Sequence, residues 1–154
     1  MFLFKVIDSL EKYKVDYAIA GGYAVALHGA VRGTVDIDFV IKLSKQSFIR
    51  AEKALNEIRL YSRLPVSSEE VFNFRQEYIK NKNMISWNFI NPDNPAESVN
   101  IIITEDLRNM KIKKIKINNK SIKLLSIEDL IKMKEKSERA QDIEDINALR
   151  RIKK

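Results

Sequence analysis

Two aspartates, Asp36 and Asp38, stand one residue apart in a segment that is otherwise apolar from residue 35 to 41. In a β-strand alternate side chains share a face, so this spacing places Thr34 and both carboxylates together. Neighbouring carboxylates repel and resist desolvation, so a positive group is expected between them. Mg²⁺ (or Mn²⁺) suits such a pair and keeps its other positions for water and phosphates. A surface Asp-x-Asp paired with a Lys or Arg is the alternative interpretation.

A glycine pair, Gly21 and Gly22, ends a short apolar run over residues 16–20 and opens a short helical pattern. Glycine lets the backbone approach a ligand closely, and the first N–H groups of a helix attract anions. The sequence therefore predicts a strand, a glycine turn, a short helix and a second strand that carries the aspartates. A phosphate cradle next to a metal clamp is the arrangement that phosphoryl and nucleotidyl transfer require.

The spacing of these motifs resembles that of a known superfamily. Gly21-Gly22 is followed after thirteen residues by Asp36-x-Asp38, with Arg32-x-Thr34 immediately before it. This pattern is similar to the nucleotidyltransferases with the polymerase-beta-like fold, and most of all to the abortive-infection toxin-type enzymes of bacterial toxin–antitoxin pairs. The resemblance implies a nucleoside triphosphate substrate, whose phosphates the glycines hold with the help of Arg32 and Thr34.

The resemblance also implies a third acidic residue on a later, neighbouring strand. The matching strand covers residues 97–103, and the matching position is Asn100. An asparagine offers a neutral oxygen to a cation, but it cannot act as a general base or cancel charge. Glu97 is out of phase with Asn100 in a regular strand and would need a bulge to replace it. The absence of this carboxylate therefore bears on turnover, whereas nucleotide binding is still expected.

Charged residues fall on the predicted inner faces of the last two helices. The first of these helices begins at Ser126, and Lys134 lies on its apolar stripe. In the final helix, Arg139 and Asp142 fall on the same side as the inward apolar residues, which are Ile143, Ile146 and Leu149. Buried charges have to be paired or bound to a ligand. Lys134 and Asp142 form either an ion pair that docks the helices or, as the resemblance implies, part of the active-site shell.

The remaining elements follow from periodicity and turn signals. Apolar spacing predicts helices over residues 2–13 and 44–60, the second with Ser44 as its N-cap. Ser67 and Glu70 form a capping box for a further helix, which reaches the basic residues near 80–82. Strands are predicted over residues 84–90 and 98–104, and a hairpin over 111–125 turns at Asn118-Asn119. The single histidine, His28, is interpreted as a packing or capping residue. These elements predict an α/β (α+β) fold, with a mixed sheet flanked by helices.

Length and composition limit the classes of protein to which the chain can belong. The 154 residues predict a single domain, residues 1–154, with a sheet-bearing core over 1–125 and a helical section over 126–154 that closes the cleft. Cysteine is absent, which excludes disulfides and thiolate metal sites. We find no signal peptide or apolar run of about 20 residues, so a cytoplasmic location without a membrane partner is expected.

The net charge of +7 favours a polyanionic partner. RNA, such as transfer RNA, is therefore one candidate acceptor, and the resemblance adds a cognate antitoxin as a partner. Solvating lysines with no binding role are an equal alternative. The predicted activity is metal-dependent transfer of a nucleoside monophosphate to a hydroxyl of RNA, protein or a small antibiotic. The competing hypothesis is a degenerate protein that binds a nucleotide or RNA and regulates a partner, which Asn100 supports.

Overall fold

The computed structural model describes residues 1–30, 33, 36–137 and 139–153. Helices and strands alternate irregularly along the chain, with one short 3₁₀ turn at Leu107–Asn109. The helices are α1 (Phe2–Lys12), α2 (Gly21–Leu27), α3 (Lys45–Glu57), α4 (Ser68–Asn73), α5 (Arg75–Lys82), α6 (Ile127–Glu135) and α7 (Ala140–Lys153). The strands are β1 (Tyr17–Ala20), β2 (Ile37–Ile41), β3 (Tyr61–Ser62), β4 (Ser86–Asn91), β5 (Asn94–Ile102), β6 (Ile112–Ile117) and β7 (Lys120–Leu125).

The strands of the described part form one mixed seven-stranded sheet in the order β3-β4-β5-β2-β1-β7-β6. Strand β2 runs parallel to β5 and antiparallel to β1, and β1 runs parallel to β7. In this register Asp38 lies opposite Ala20 on one side and opposite Asn100 on the other. The sheet therefore brings the end of β1, the aspartate of β2 and the asparagine of β5 side by side. The predicted α/β fold with a mixed sheet is confirmed.

One face of the sheet carries the aromatic core. Phe48 of α3 stacks on Trp87 of β4 with 6.1 Å between ring centroids, and Tyr17 meets Phe39 edge to face. Because side chains alternate along each strand, Asp38 and Asn100 point away from this core, toward the opposite face. The apolar residues on either side of Asp38, Ile37 and Phe39, are completely buried. Packing of these neighbours fixes the direction in which the carboxylate points.

Several local predictions are confirmed in detail. The side chain of Ser44 caps α3 by accepting from the Ser47 N–H at 3.1 Å. Ser67 and Glu70 form both hydrogen bonds of the predicted capping box at the start of α4. The hairpin of β6 and β7 turns at Asn118 and Asn119, which both have positive φ, as a tight hairpin turn requires.

Several element boundaries differ from the sequence prediction, among them the start of β5, which is Asn94 rather than residue 98. Strand β2 begins at Ile37, so Asp36 lies in a bend before it rather than within the strand. The helix predicted after Ser67 is two helices that meet at Phe74, an exposed residue that adopts a non-helical conformation. The short edge strand β3 has no equivalent in the prediction, because two residues are too few to show a period.

The inward face of α7 is also different from the prediction. Ile143 is 56% exposed, and the Arg139 side chain just before the helix is exposed as well, so their predicted inward positions are wrong. Asp142 and Leu149 are buried as predicted, and Asp145 is buried as well. Two carboxylates on this face bind the amine of Lys134, and those ion pairs override the apolar pattern.

Among the described helices, none is both long and apolar enough for a bilayer span.

Candidate functional site

A cleft of about 600 Å³ opens where β1, β2 and β5 meet the two C-terminal helices. Five of the residues predicted from sequence to bind nucleotide or metal, or to surround the site, line it: Gly21, Asp38, Asn100, Lys134 and Asp142. Arg139, which was not predicted as a site residue, lines it as well. Apolar side chains supply another part of the wall, namely Ile85, Ile102, Leu130 and Met133. A cleft of this size and mixed lining is typical of a small-ligand site.

Gly21 lies directly against the carboxylate of Asp38. Its φ of +60° is a conformation that side chains disfavour, and a Cβ built at this position would lie 2.0 Å from Asp38 Oδ2. Only glycine therefore allows the turn and the carboxylate to occupy the same corner of the cleft. Gly22, the other predicted phosphate-binding residue, is buried within α2.

Asp38 is a half-buried carboxylate with a hydrogen-bond donor beside it. The side-chain Nδ2 of Asn100 donates to Asp38 Oδ1 at 2.9 Å. Burial raises the pKa of Asp38, and the nearby charge of Asp36 raises it further, while the Asn100 hydrogen bond and the charges of Lys134 and Arg139 lower it. These opposing effects show that the groups of the cleft act on one carboxylate.

Asn100 occupies the position expected for a third acidic residue, and a second asparagine holds it. Asn88 Nδ2 donates to Asn100 Oδ1 at 2.7 Å and to Ser98 Oγ at 3.0 Å. Asn88 Oδ1 is buried and has no hydrogen-bond partner. Sequence reasoning missed Asn88, because the only signal is its place opposite Asn100 on β4, which needs the strand register.

Lys134 is buried between two carboxylates of α7. Its Nζ lies 3.5 Å from Asp142 Oδ1 and 2.9 Å from Asp145 Oδ2. Although burial opposes it, hydrogen bonds from Arg139 and Ser137 lower the pKa of Asp142. The ion pair that docks the helices is therefore present, and Lys134 and Asp142 also border the cleft. Asp145 was missed, although its three-residue spacing from Asp142 places both on one helix face.

The other candidates are distributed as follows. Asp36 is exposed directly before β2, close enough to Asp38 for its charge to affect that carboxyl. Arg32 and Thr34 lie outside the described residues. Glu97 accepts from Asn91 Nδ2 at 2.9 Å and lies 3.5 Å from Lys5, so it does not replace Asn100. His28 Nε2 lies 2.8 Å from the Leu125 carbonyl oxygen, in agreement with a packing role.

The residues of the cleft fit a single hard cation. Asp36 and Asp38 supply carboxylate oxygens, and the absent Cβ of Gly21 lets Asp38 Oδ2 lie directly against the glycine turn. Mg²⁺ is commonly bound by one or two carboxylates together with water and substrate phosphates. No cluster of three or more acidic, histidine or cysteine side chains suited to a metal occurs in the described part of the chain. The donor set therefore depends on a ligand's phosphates to complete it.

A second groove of about 400 Å³ lies at the opposite end of β1. Its basic residues include Lys42 and Arg108, but Lys42 is paired with Asp16 at 2.7 Å and Arg108 with Asp106 at 2.7 Å. Their charge is thus largely neutralised within the protein. This groove offers no carboxylate pair beside a glycine turn, so we assign no chemistry to it.

Comparison with known proteins agrees with this geometry. A model of the family described as nucleotidyltransferases of unknown function (DUF6036) matches residues 1–154. The chain belongs to this nucleotidyltransferase family. Membership confirms the predicted superfamily and the predicted class of enzyme, whereas closeness to the toxin-type members stays a prediction. No curated protein sequence matches the chain.

Solved structures of other nucleotidyltransferases share the fold of this family member. Lincosamide antibiotic adenylyltransferase LnuA, bound to lincomycin, is similar with a TM-score of 0.65 and 17% identity over 98% of this chain and 96% of that one. The antibiotic-resistance factor ANT(2″)-Ia gives a TM-score of 0.63 and 10% identity over 96% and 80% of the two chains. An antigenic nucleotidyltransferase-like protein from Paracoccidioides brasiliensis gives a TM-score of 0.58 and 19% identity over 96% of this chain and 74% of that one. At these identities the likeness shows the fold alone.

Proposed function

We propose that this nucleotidyltransferase binds a nucleoside triphosphate with a divalent cation in the cleft and transfers the nucleoside monophosphate to an acceptor hydroxyl. The observation that carries the proposal is the contact between Gly21 and Asp38 at the cleft wall, because it joins a carboxylate to a turn without a side chain. A polyphosphate and its cation need both features at one place.

Four residues at the cleft have defined tasks in this proposal. Asp36 and Asp38 would hold the cation, which neutralises charge on the phosphates when bound. Gly21 lets the phosphates approach the backbone, and the basic side chain of Arg139, which lines the cleft, faces them. The acceptor oxygen forms a bond to the α-phosphorus, the bond to the β-phosphate oxygen breaks, pyrophosphate leaves, and the hydroxyl proton passes to solvent.

The acceptor is the finer part of the proposal. The net charge of +7 supports RNA, such as transfer RNA, and a role as the toxin of a toxin–antitoxin pair would follow from that acceptor. The apolar part of the wall supports a small molecule instead, as do the lincomycin of LnuA and the adenylyl-2″-tobramycin of ANT(2″)-Ia. Both classes present hydroxyl groups.

Nucleotide binding is tested first, by thermal shift with each triphosphate and Mg²⁺. We expect at least one triphosphate to raise the melting temperature of the wild type and to leave Asp38→Ala unchanged. Asp93→Ala is the matched control, because Asp93 is exposed in the turn between β4 and β5. Absence of stabilisation by every triphosphate would overturn the proposal.

Transfer is tested with α-labelled triphosphates and three acceptors: a transfer RNA pool, a lincosamide and an aminoglycoside. The proposal expects label on one of them and none with Asp38→Ala. The second candidate function, a nucleotide-binding regulator, is favoured by the neutral Asn100 that faces Asp38. That candidate expects nucleotide binding without transfer to any acceptor, and a gain of transfer in Asn100→Asp.

A further inference from the structure

The orientation of the Asn100 amide is fixed by its neighbours on both sides. An ionised carboxylate only accepts hydrogen bonds, so the side-chain nitrogen of Asn100 must face Asp38 Oδ1, 2.9 Å away. Its oxygen is then turned to β4, where Asn88 Nδ2 donates to it at 2.7 Å. Turning the Asn100 amide alone would bring the two side-chain nitrogens face to face, so the pair can only change together.

The orientation of the Asn100 amide decides which of its atoms faces a cation bound at Asp38. The oxygen of Asn100, which is its only possible metal ligand, already accepts from Asn88 and points away from Asp38. The group that Asn100 presents to Asp38 is a donor with a partial positive charge, which repels a cation. The fixed orientation also leaves Asn88 Oδ1 buried without a partner, which destabilises the fold.

The charges and the number of metal ligands in the cleft also favour a single cation. Two divalent cations about 3.5–4 Å apart are normally held by carboxylates that stabilise both. Of the described carboxylates at the cleft, Asp36 and Asp38 are placed to do so, while Asp142 and Asp145 bind Lys134 and Glu105 binds Lys136. Because Asn100 is a neutral amide and Glu97 is engaged by Asn91 and Lys5, β5 supplies no carboxylate to compensate the charge of a second cation.

We propose that the cleft binds one divalent cation with its nucleotide, and that the Asn88–Asn100 amide pair excludes a second. The inference rests on the proposed function, since it concerns the cation of that same site. Asn88 is a positioning residue here: it touches neither cation nor nucleotide, and it acts by holding the oxygen of Asn100 away from Asp38.

The test counts Mn²⁺ ions bound per protein chain in the presence of a saturating non-hydrolysable triphosphate analogue, by electron paramagnetic resonance of free Mn²⁺. The count is corrected for Mn²⁺ bound by the analogue alone. We expect one ion for the wild type and two for Asn100→Asp, which adds a carboxylate opposite Asp38. Asn147→Asp is the matched control, because it adds the same charge on the exposed side of α7, and it should bind one ion.

Each outcome separates this inference from the proposed function. A wild-type count of zero would overturn the proposed function and the inference together. A wild-type count of two would overturn the inference and leave the proposed function standing. One ion in both the wild type and Asn100→Asp would show that the amide pair does not set the limit. If Asn100→Asp fails to fold, the wild-type count decides alone.

Discussion

At the scale of single residues, Asp38 is the side chain whose functional position opposes stability. Burial raises the pKa of its carboxyl above the ordinary value of 3.8. A raised pKa means that the folded protein binds the proton more tightly than the unfolded chain does. Its stabilising contribution is therefore complete below pH 3.8 and is lost as the pH rises through the raised value. At neutral pH the ionised Asp38 weakens the fold.

The first prediction follows from the upward direction of this pKa shift. Without metal or nucleotide, Asp38→Asn should melt above the wild type at pH 7.5, by about 2–4 °C for each kcal/mol of relief. The gain should shrink as the pH is lowered toward 4, because wild-type Asp38 then binds its proton. The Asn100 hydrogen bond can persist in the variant, since a side-chain amide oxygen also accepts. Melting curves over this pH range measure both effects.

The control for this prediction is Asp93→Asn, which removes a carboxylate that is exposed to solvent. It should show no comparable gain at pH 7.5. An Asp38→Asn variant that melts below the wild type at pH 7.5 would mean that the carboxylate stabilises the fold, contrary to the argument. The same variant should lose the cation binding proposed for the cleft.

Some residues of the site could be identified from the sequence, and others only from the structure. Gly21 and Asp38 could be predicted, because residue type and position in a turn or strand already restrict what each can do, whereas Asn100 was indicated by the resemblance to the superfamily. Asn88 could not, since its partner is twelve residues away and the pairing depends on the register of β4 against β5. Register is set by packing of the whole sheet, which local patterns do not contain.

At the scale of elements, the contact between α6 and α7 depends on the charges around Lys134. Lys134 is 8% exposed and pairs with Asp142 and Asp145, which are both buried. Removing one partner of a buried ion pair costs about 3–5 kcal/mol when the other charge is left uncompensated, and here Arg139 still pairs with Asp142 at 3.0 Å. We therefore predict that Lys134→Met lowers the free energy of unfolding by an amount near the lower end of about 3–5 kcal/mol, as measured by urea denaturation.

Lys132→Met is the control, because Lys132 lies on the exposed side of the same helix. It should change stability little. Adding Asp142→Asn and Asp145→Asn to Lys134→Met should recover part of the loss, because no uncompensated charge is then buried. A Lys134→Met variant as stable as the wild type but with weakened triphosphate binding would assign Lys134 to the ligand rather than to the helix contact.

The element boundaries show which sequence signals were sufficient. Caps at Ser44 and Ser67 and the Asn118-Asn119 turn could be predicted, because each acts within a few residues. The inward face of α7 could be predicted only in part: Asp142 and Leu149 are buried as predicted, whereas Ile143 is exposed and Asp145 is buried. A periodicity argument assigns charged residues to solvent unless a partner is known, and here the partner is on another helix.

At the scale of the whole molecule, the question is whether the sheet and the C-terminal helices unfold together. Leu149 of α7 is completely buried, and α6 and α7 both contact α2, which follows β1 directly. Trp87, the only tryptophan, is buried in β4 between Phe48 and Phe89. Its fluorescence therefore reports on the sheet, far in sequence from α7. This separation allows a test of the single domain predicted over residues 1–154.

Leu149→Ala should lower the melting temperature seen by Trp87 fluorescence and by far-ultraviolet circular dichroism equally. Truncating a buried leucine costs about 2–5 kcal/mol, and in one cooperative unit the sheet shares that loss. Ile143→Ala is the control on the same helix, and its exposed side chain predicts almost no change. If Leu149→Ala shifts only part of the dichroism transition and leaves the Trp87 transition in place, α7 unfolds separately from the sheet. The cleft would then form between two units of unequal stability, and nucleotide binding would stabilise the C-terminal helices more than the sheet.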